Sequence, residues 1–168
     1  MQRILIQDTV NSIGKKVKLA GWVHIRRDHG KLIFIDLRDR SGLIQMVVIP
    51  DKDETYKIAK NLRSEFVIEV EGLVKERPGA AANKNISTGG VELEVEKITV
   101  LNESVALPFE INKDTRDVDE ALRLKYRYLD LRTERMKNNI LLRDKVITFF
   151  RKYMHENGWE WDWQTTDT

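Results

Sequence analysis

Along the first hundred or so residues, apolar and polar positions alternate with a period of two in five stretches. Val17, Leu19, Gly21, Val23 and Ile25 form the expected inward face of a first strand that bends at Gly21. A turn at His29-Gly30 leads into Leu32–Leu37, and Gly42 introduces Leu43–Ile49. The period then changes, and Tyr56, Ile58, Ala59 and Leu62 predict one apolar stripe of a short helix. Phe66, Ile68, Val70 and Val74 mark a fourth strand, and a polar loop, Arg77–Gly90, separates it from a fifth. There Val91, Leu93 and Val95 point inward and Glu92, Glu94 and Glu96 outward. The alternation slips near Lys97 and resumes at Ile98 and Val100, as a bulge allows.

Three strands, a helix and two strands in that order predict an all-β OB-fold, a five-stranded Greek-key barrel with its helix between strands 3 and 4. Such barrels bind oligonucleotides on the face of strands 2 and 3 and with the loops L12 and L45, expected here at Arg26–Lys31 and Arg77–Gly90. An SH3-like barrel has a similar strand count but not the intervening helix. The barrel is expected over residues 1–105 and a linker over 106–133, with a short helical part near Val118–Lys125. A C-terminal helical segment follows over 134–158, closed by Gly158. On that helix Leu142, Val146, Phe149, Phe150 and Tyr153 lie on one side, a face that calls for a partner. Residues 159–168 form an atypical tryptophan-rich tail.

Composition narrows the class. Of 168 residues, 41% are hydrophobic and 33% charged, the balance of a folded domain, and there is no cysteine for a disulfide or a thiolate metal site. No signal peptide or apolar run of membrane-spanning length occurs, so a cytoplasmic protein without membrane contact is expected. The net charge of +2 is unevenly spread: residues 1–50 carry +5, residues 51–105 carry −3, and the remainder is neutral. The basic excess lies around the first two strands and suggests a polyanionic partner.

Phe34 is the anomaly within that basic region. It shares a strand face with Asp36 and Arg38, opposite Ile33, Ile35 and Leu37. An aromatic on the outer face of an OB barrel offers a stacking surface to an unpaired base, worth about 1–3 kcal/mol. The bland alternative is a ring covered by a loop or by another domain. Arg26, Arg27 and Lys31 are candidates for phosphates or base edges, against the alternative of a solvated basic face. Gln45 carries both a donor and an acceptor and can read a base edge, or can simply sit at the barrel rim. Glu92, first after L45, can accept from base N–H groups such as those of cytosine or guanine. His24, His29 and His155 have no metal-ligand spacing, Gly89-Gly90 precedes a strand instead of a phosphate-binding helix, and no nucleophile stands out. No catalytic residue, metal site or cofactor is expected in this chain.

The strings GWVHIRRDHGKLIFIDLRDRSGLIQMVV (21–48), LRSEFVIEVEGLVKERP (62–78), STGGVELEV (87–95) and LRLKYRYLDLR (122–132) together resemble the bacterial-type aspartyl-tRNA synthetases in their N-terminal anticodon-binding part. The resemblance runs from about Arg3 to Gly158. Asparaginyl and lysyl enzymes share the architecture, and RRD-x-G-x-x-IFIDLRD is closer to the aspartyl type. It implies that Phe34 stacks on the middle anticodon base and that Arg27, Gln45 and Glu92 read the G-U-C anticodon of tRNA-Asp, with Arg77 a further candidate. It implies a full-length homodimeric ligase that attaches aspartate to tRNA using ATP and Mg2+, its large class II catalytic domain following a hinge. His29 stands where members restricted to tRNA-Asp often have leucine and members that also charge tRNA-Asn often have histidine. The motifs that hold ATP and the aspartyl-adenylate have no counterpart here, so a fragment inactive by itself is expected. The alternative is a free-standing OB module derived from a synthetase, binding RNA or docking protein.

Overall fold

The structure, a computed structural model, describes residues 2–51, 53–77 and 82–159. It contains strands β1 (Lys16–His29), β2 (Leu32–Arg38) and β3 (Leu43–Val48), helix α1 (Asp53–Asn61), and strands β4 (Val67–Glu76) and β5 (Val91–Asn102). These five strands close a barrel in the order β1-β2-β3-β5-β4, with β1 pairing β4 to complete the ring. The β3–β5 pair is parallel and the others are antiparallel, the arrangement expected of an OB-fold. Leu19, Val23, Ile33, Ile35, Leu37, Ile44, Met46, Ile68, Val70 and Leu93 fill the interior and are almost wholly removed from water. Helix α1 contributes Ala59, and Leu62 just beyond it, to the same core.

Local chemistry sets the bends. A Cβ at Gly21 would stand 2.2 Å from the Arg38 carbonyl oxygen, so only glycine lets β1 cross β2 this closely. The β2–β3 turn is an aspartate turn: Asp39 Oδ1 accepts from the Ser41 amide at 2.7 Å, and its Oδ2 accepts from the Ile6 amide at 2.9 Å. That second bond anchors a 3-10 helix, Ile6–Asn11, which the strand pattern does not announce. The slip near Lys97 is a register shift in which Glu71 faces Lys97 while Gly72 faces Val95. Thr55 Oγ1 of α1 donates at 3.1 Å to the carbonyl of Glu96, the residue the register skips.

Two expectations for β1 are corrected. The register shifts between Val23 and Ile25, so Ile25 faces Asp36 on the outer surface instead of joining the inward set. The same shift turns Arg27 outward, opposite Phe34, and Arg26 toward the inner side, opposite Ile35. Arg26 to His29 are also strand residues, not loop, and the L12 turn shrinks to Gly30 and Lys31. Cross-strand hydrogen bonding to β2 over Arg26–His29 makes the longer strand.

The described residues from Leu107 onward form a second compact unit. It holds α2 (Glu120–Lys125), α3 (Arg127–Asp130) and α4 (Glu134–Glu156). The stretch expected as a linker has a core of its own, with Phe109, Ile111 and Leu129 buried against Leu107, Val118, Leu122 and Tyr126. Asp119 caps α2 by accepting from the Leu122 amide at 2.9 Å. Asp130 is fully buried, accepts from Thr115 Oγ1 at 2.6 Å and pairs with Arg127 at 2.5 Å. Along α4, Leu142, Val146, Phe149, Phe150 and Tyr153 are exposed. The tail expected over 159–168 lies outside the described residues after Trp159.

Candidate nucleic-acid interface

The outer face of β1, β2, β3 and β5 carries two cross-strand rows of side chains. In one, Arg27, Phe34, Val47 and Glu94 stand opposite one another in turn. In the next, Asp36 faces Gln45 and Gln45 faces Glu92. Directly opposed residues in a sheet project to the same side about 5 Å apart, so the rows bring a ring, an amide and charges of both signs onto one surface. Phe34 is half-buried there, while its neighbours Ile33 and Ile35 are fully inside. The alternation that made the ring anomalous is real.

A cleft of about 660 Å³ opens above this surface. Arg27, His29, Phe34, Gln45, Arg77 and Glu92, all singled out from the sequence, line it. Arg26 and Lys31 do not. Arg26 is on the inner side of the register and pairs with Asp28, and Lys31 is exposed in the turn. The cleft also has lining the sequence reading missed: Asp36, Leu32, Leu43 and Val47 on the strands, and Asn83 and Ile86 from L45. Asp36 was readable, since it is two residues from Phe34 on a period-two strand. Asn83 and Ile86 were not, because nothing periodic places a loop residue.

L45 is held in position by bonds at its far end. The Asn83 amide donates to the Gly89 carbonyl at 3.1 Å, and Thr88 Oγ1 donates to the Leu43 carbonyl. A Cβ at Gly89 would stand 1.8 Å from the Asn83 carbonyl oxygen, so the loop closes on itself only with glycine there.

The charges are arranged in pairs. Arg27 Nη2 donates to both oxygens of Asp36 at 2.9 Å. Burial pushes the Asp36 carboxyl above the usual aspartate range, and Arg27 only partly opposes this. Arg77 Nε stands 3.8 Å from Glu92 Oε2, beyond hydrogen-bonding reach, and is buried without a hydrogen-bond partner among the described residues. A buried donor left unpaired costs about 1–3 kcal/mol. Glu94 and Glu96 are taken up by Lys75 and Lys16. Two arginines offset by two carboxylates leave the cleft close to neutral, with donors, acceptors and a π-surface. Such a site suits the edges and face of an unpaired base better than a run of phosphates.

Comparisons with known proteins agree with this chemistry. The family described as OB-fold nucleic acid binding domain matches residues 17–101, and tRNA synthetases class II (D, K and N) match residues 119–161. A protein of Halothermothrix orenii named aspartate–tRNA(Asp/Asn) ligase is 53% identical over 154 residues, which is 90% of this chain and 26% of the relative. One of Rubrobacter xylanophilus with the same name is 50% identical over 146 residues, 87% of this chain and 24% of that protein. The chain thus spans about a quarter of the length of these curated relatives. The crystal structure of asparaginyl-tRNA synthetase from Pyrococcus horikoshii, complexed with asparaginyl-adenylate, matches with a TM-score of 0.78 at 32% identity over 95% of this chain and 36% of that one. With the barrel, the cleft and these matches together, the chain belongs to the tRNA anticodon-binding OB-fold family, joined to the opening segment of a class II tRNA synthetase of the aspartyl/asparaginyl type.

Proposed function

We propose that the cleft binds the anticodon loop of tRNA-Asp, and also that of tRNA-Asn, on behalf of a longer cytoplasmic, homodimeric aspartate–tRNA ligase. Phe34 supplies the face on which the middle base stacks. Arg27, Arg77, Gln45 and Glu92 supply donors and acceptors to base edges, and His29 stands at the rim. The observation that carries this reading is the gathering of Arg27, His29, Gln45, Arg77 and Glu92 around one outward ring, Phe34. The printed name of the relatives, which covers tRNA(Asp/Asn), supports the wider tRNA range. The match to those relatives covers 87% and 90% of the chain and so includes residues beyond the barrel, which favours part of a ligase over a free-standing module.

ATP and Mg2+ belong to the ligation step of the full-length enzyme. The function proposed for this chain is RNA binding, and no step of that reaction is assigned to it. The test is a titration of the chain with an anticodon stem-loop bearing G-U-C and with one whose middle base is changed. Tighter binding of the first, weakening with salt, is expected. Equal affinity for the two loops removes anticodon reading, and no measurable binding of either loop removes RNA binding.

A further inference from the structure

Arg27 and Phe34 are opposite one another on β1 and β2, yet the Arg27 guanidinium does not stay in that row. Its Nη2 reaches Asp36, two residues along β2, and meets both carboxylate oxygens at 2.9 Å. The head group is therefore drawn toward the row that holds Gln45 and Glu92. The Asp36 side chain is 20% exposed and that of Arg27 is 52% exposed. The carboxylate is the sunken anchor, and the guanidinium keeps donors open to the cleft.

We propose that Asp36 is a specificity-determining positioning residue: by anchoring and neutralising Arg27, it converts a cation that would grip any phosphate into an oriented donor for a base edge. This rests on the anticodon-reading function proposed above. An unanchored arginine on a long flexible stem binds phosphate wherever it is offered, which adds affinity without sequence information. A guanidinium fixed against a carboxylate has lost most of its net charge and much of its freedom, but not its remaining N–H groups. Burial of the Asp36 carboxyl carries a desolvation cost that the charges of Arg27, His24 and Arg77 offset only in part, so its proton affinity is raised. An exposed aspartate would give the surface the same charge without that cost, so the cost has to be matched by what the pair does in the cleft.

The experiment compares the wild-type chain with Asp36→Asn, Arg27→Gln and the double variant. Each is titrated with the G-U-C stem-loop and with stem-loops changed at one anticodon base, at several salt concentrations. Asp36→Asn is expected to bind the changed loops more tightly and to lower the discrimination ratio by about tenfold. The slope of log affinity against log salt is expected to steepen by about 0.7, the value for one more phosphate contact on a single strand. In the Arg27→Gln background, adding Asp36→Asn should change neither quantity further, because Asp36 acts through Arg27. Circular dichroism checks folding, and Asp36→Ser repeats the comparison where the amide disturbs it. A discriminating wild type whose ratio and slope survive Asp36→Asn, or a variant weakened equally on all loops, overturns the role of Asp36 alone. So does an effect that persists without Arg27. A wild type that does not discriminate overturns the anticodon reading and this proposal with it.

Discussion

The His29 imidazole stands edge-on to the Phe34 ring, with ring centroids 6.4 Å apart and planes at 85°. His29 ends β1 and is exposed, so the contact sets an imidazole at the edge of the ring proposed to stack a base. Replacing it with leucine keeps bulk at the rim and removes the imidazole nitrogens. His29→Leu is expected to shift the relative affinity for tRNA-Asp over tRNA-Asn anticodon stem-loops by severalfold, with the thermal midpoint unchanged. Competition binding with the two loops measures this, and an unmoved ratio removes His29 from tRNA choice.

Phe34→Ala separates platform from core. The ring is on the outer face of β2 and only half-buried, so its removal is expected to cost less stability than the roughly 3–5 kcal/mol of a truncated core phenylalanine. Cognate RNA binding is expected to weaken by about 1–3 kcal/mol through loss of stacking. Denaturant unfolding and RNA titration on the same preparation give both numbers. A core-sized stability loss with normal RNA binding would make Phe34 a structural residue.

Much of this site was legible because strands impose a period of two. Phe34 and Glu92 were assigned to the outer face from alternation alone, and the register puts them there, with Gln45, picked for its amide, opposite Glu92. Arg26 and Arg27 show where that logic stops. As sequence neighbours they must project to opposite sides of a strand, but which one faces out depends on a shift between Val23 and Ile25 that no local residue pattern announces. Glu65 was illegible for a related reason. It adopts φ 67 and is buried, its carboxylate taking Arg38 Nη2 at 2.8 and 2.9 Å, an arrangement set by chain segments far apart in sequence. The small core around Phe109 and Leu129 escaped as well, since isolated apolar residues in a polar stretch carry no period.

Gly89→Ala tests whether L45 shapes the cleft. A methyl group 1.8 Å from the Asn83 carbonyl oxygen cannot be accommodated without moving the backbone that carries Asn83 and Ile86, both in the cleft wall. A cost of about 1–3 kcal/mol in stability is expected, as for other forced overpacking. RNA affinity should fall with it, whereas Gly90→Ala, whose Cβ would meet no other atom within 4 Å, should leave RNA affinity nearly intact. Equal behaviour of the two variants would mean that the loop's closure has no part in binding.

The Asp36 carboxyl makes a pH prediction with a definite sign. Burial raises its proton affinity in the folded chain above the unfolded value near 3.8, and the Arg27 charge opposes this without reversing it. Between those two values the folded state binds more protons than the unfolded state, so this group's contribution to stability falls as pH rises through the window. Well below 3.8 the carboxyl is neutral in both states and resembles asparagine; well above its folded value the wild type bears the full cost of an ionised, partly desolvated carboxylate. Asp36→Asn has no such cost. Its stability relative to wild type should therefore increase from acid pH toward neutrality and then level off, as measured by denaturant midpoints at a series of pH values. A relative stability that falls along the same series would show that the Arg27 ion pair outweighs burial, and that Asp36 is held in the fold by attraction and not in spite of desolvation.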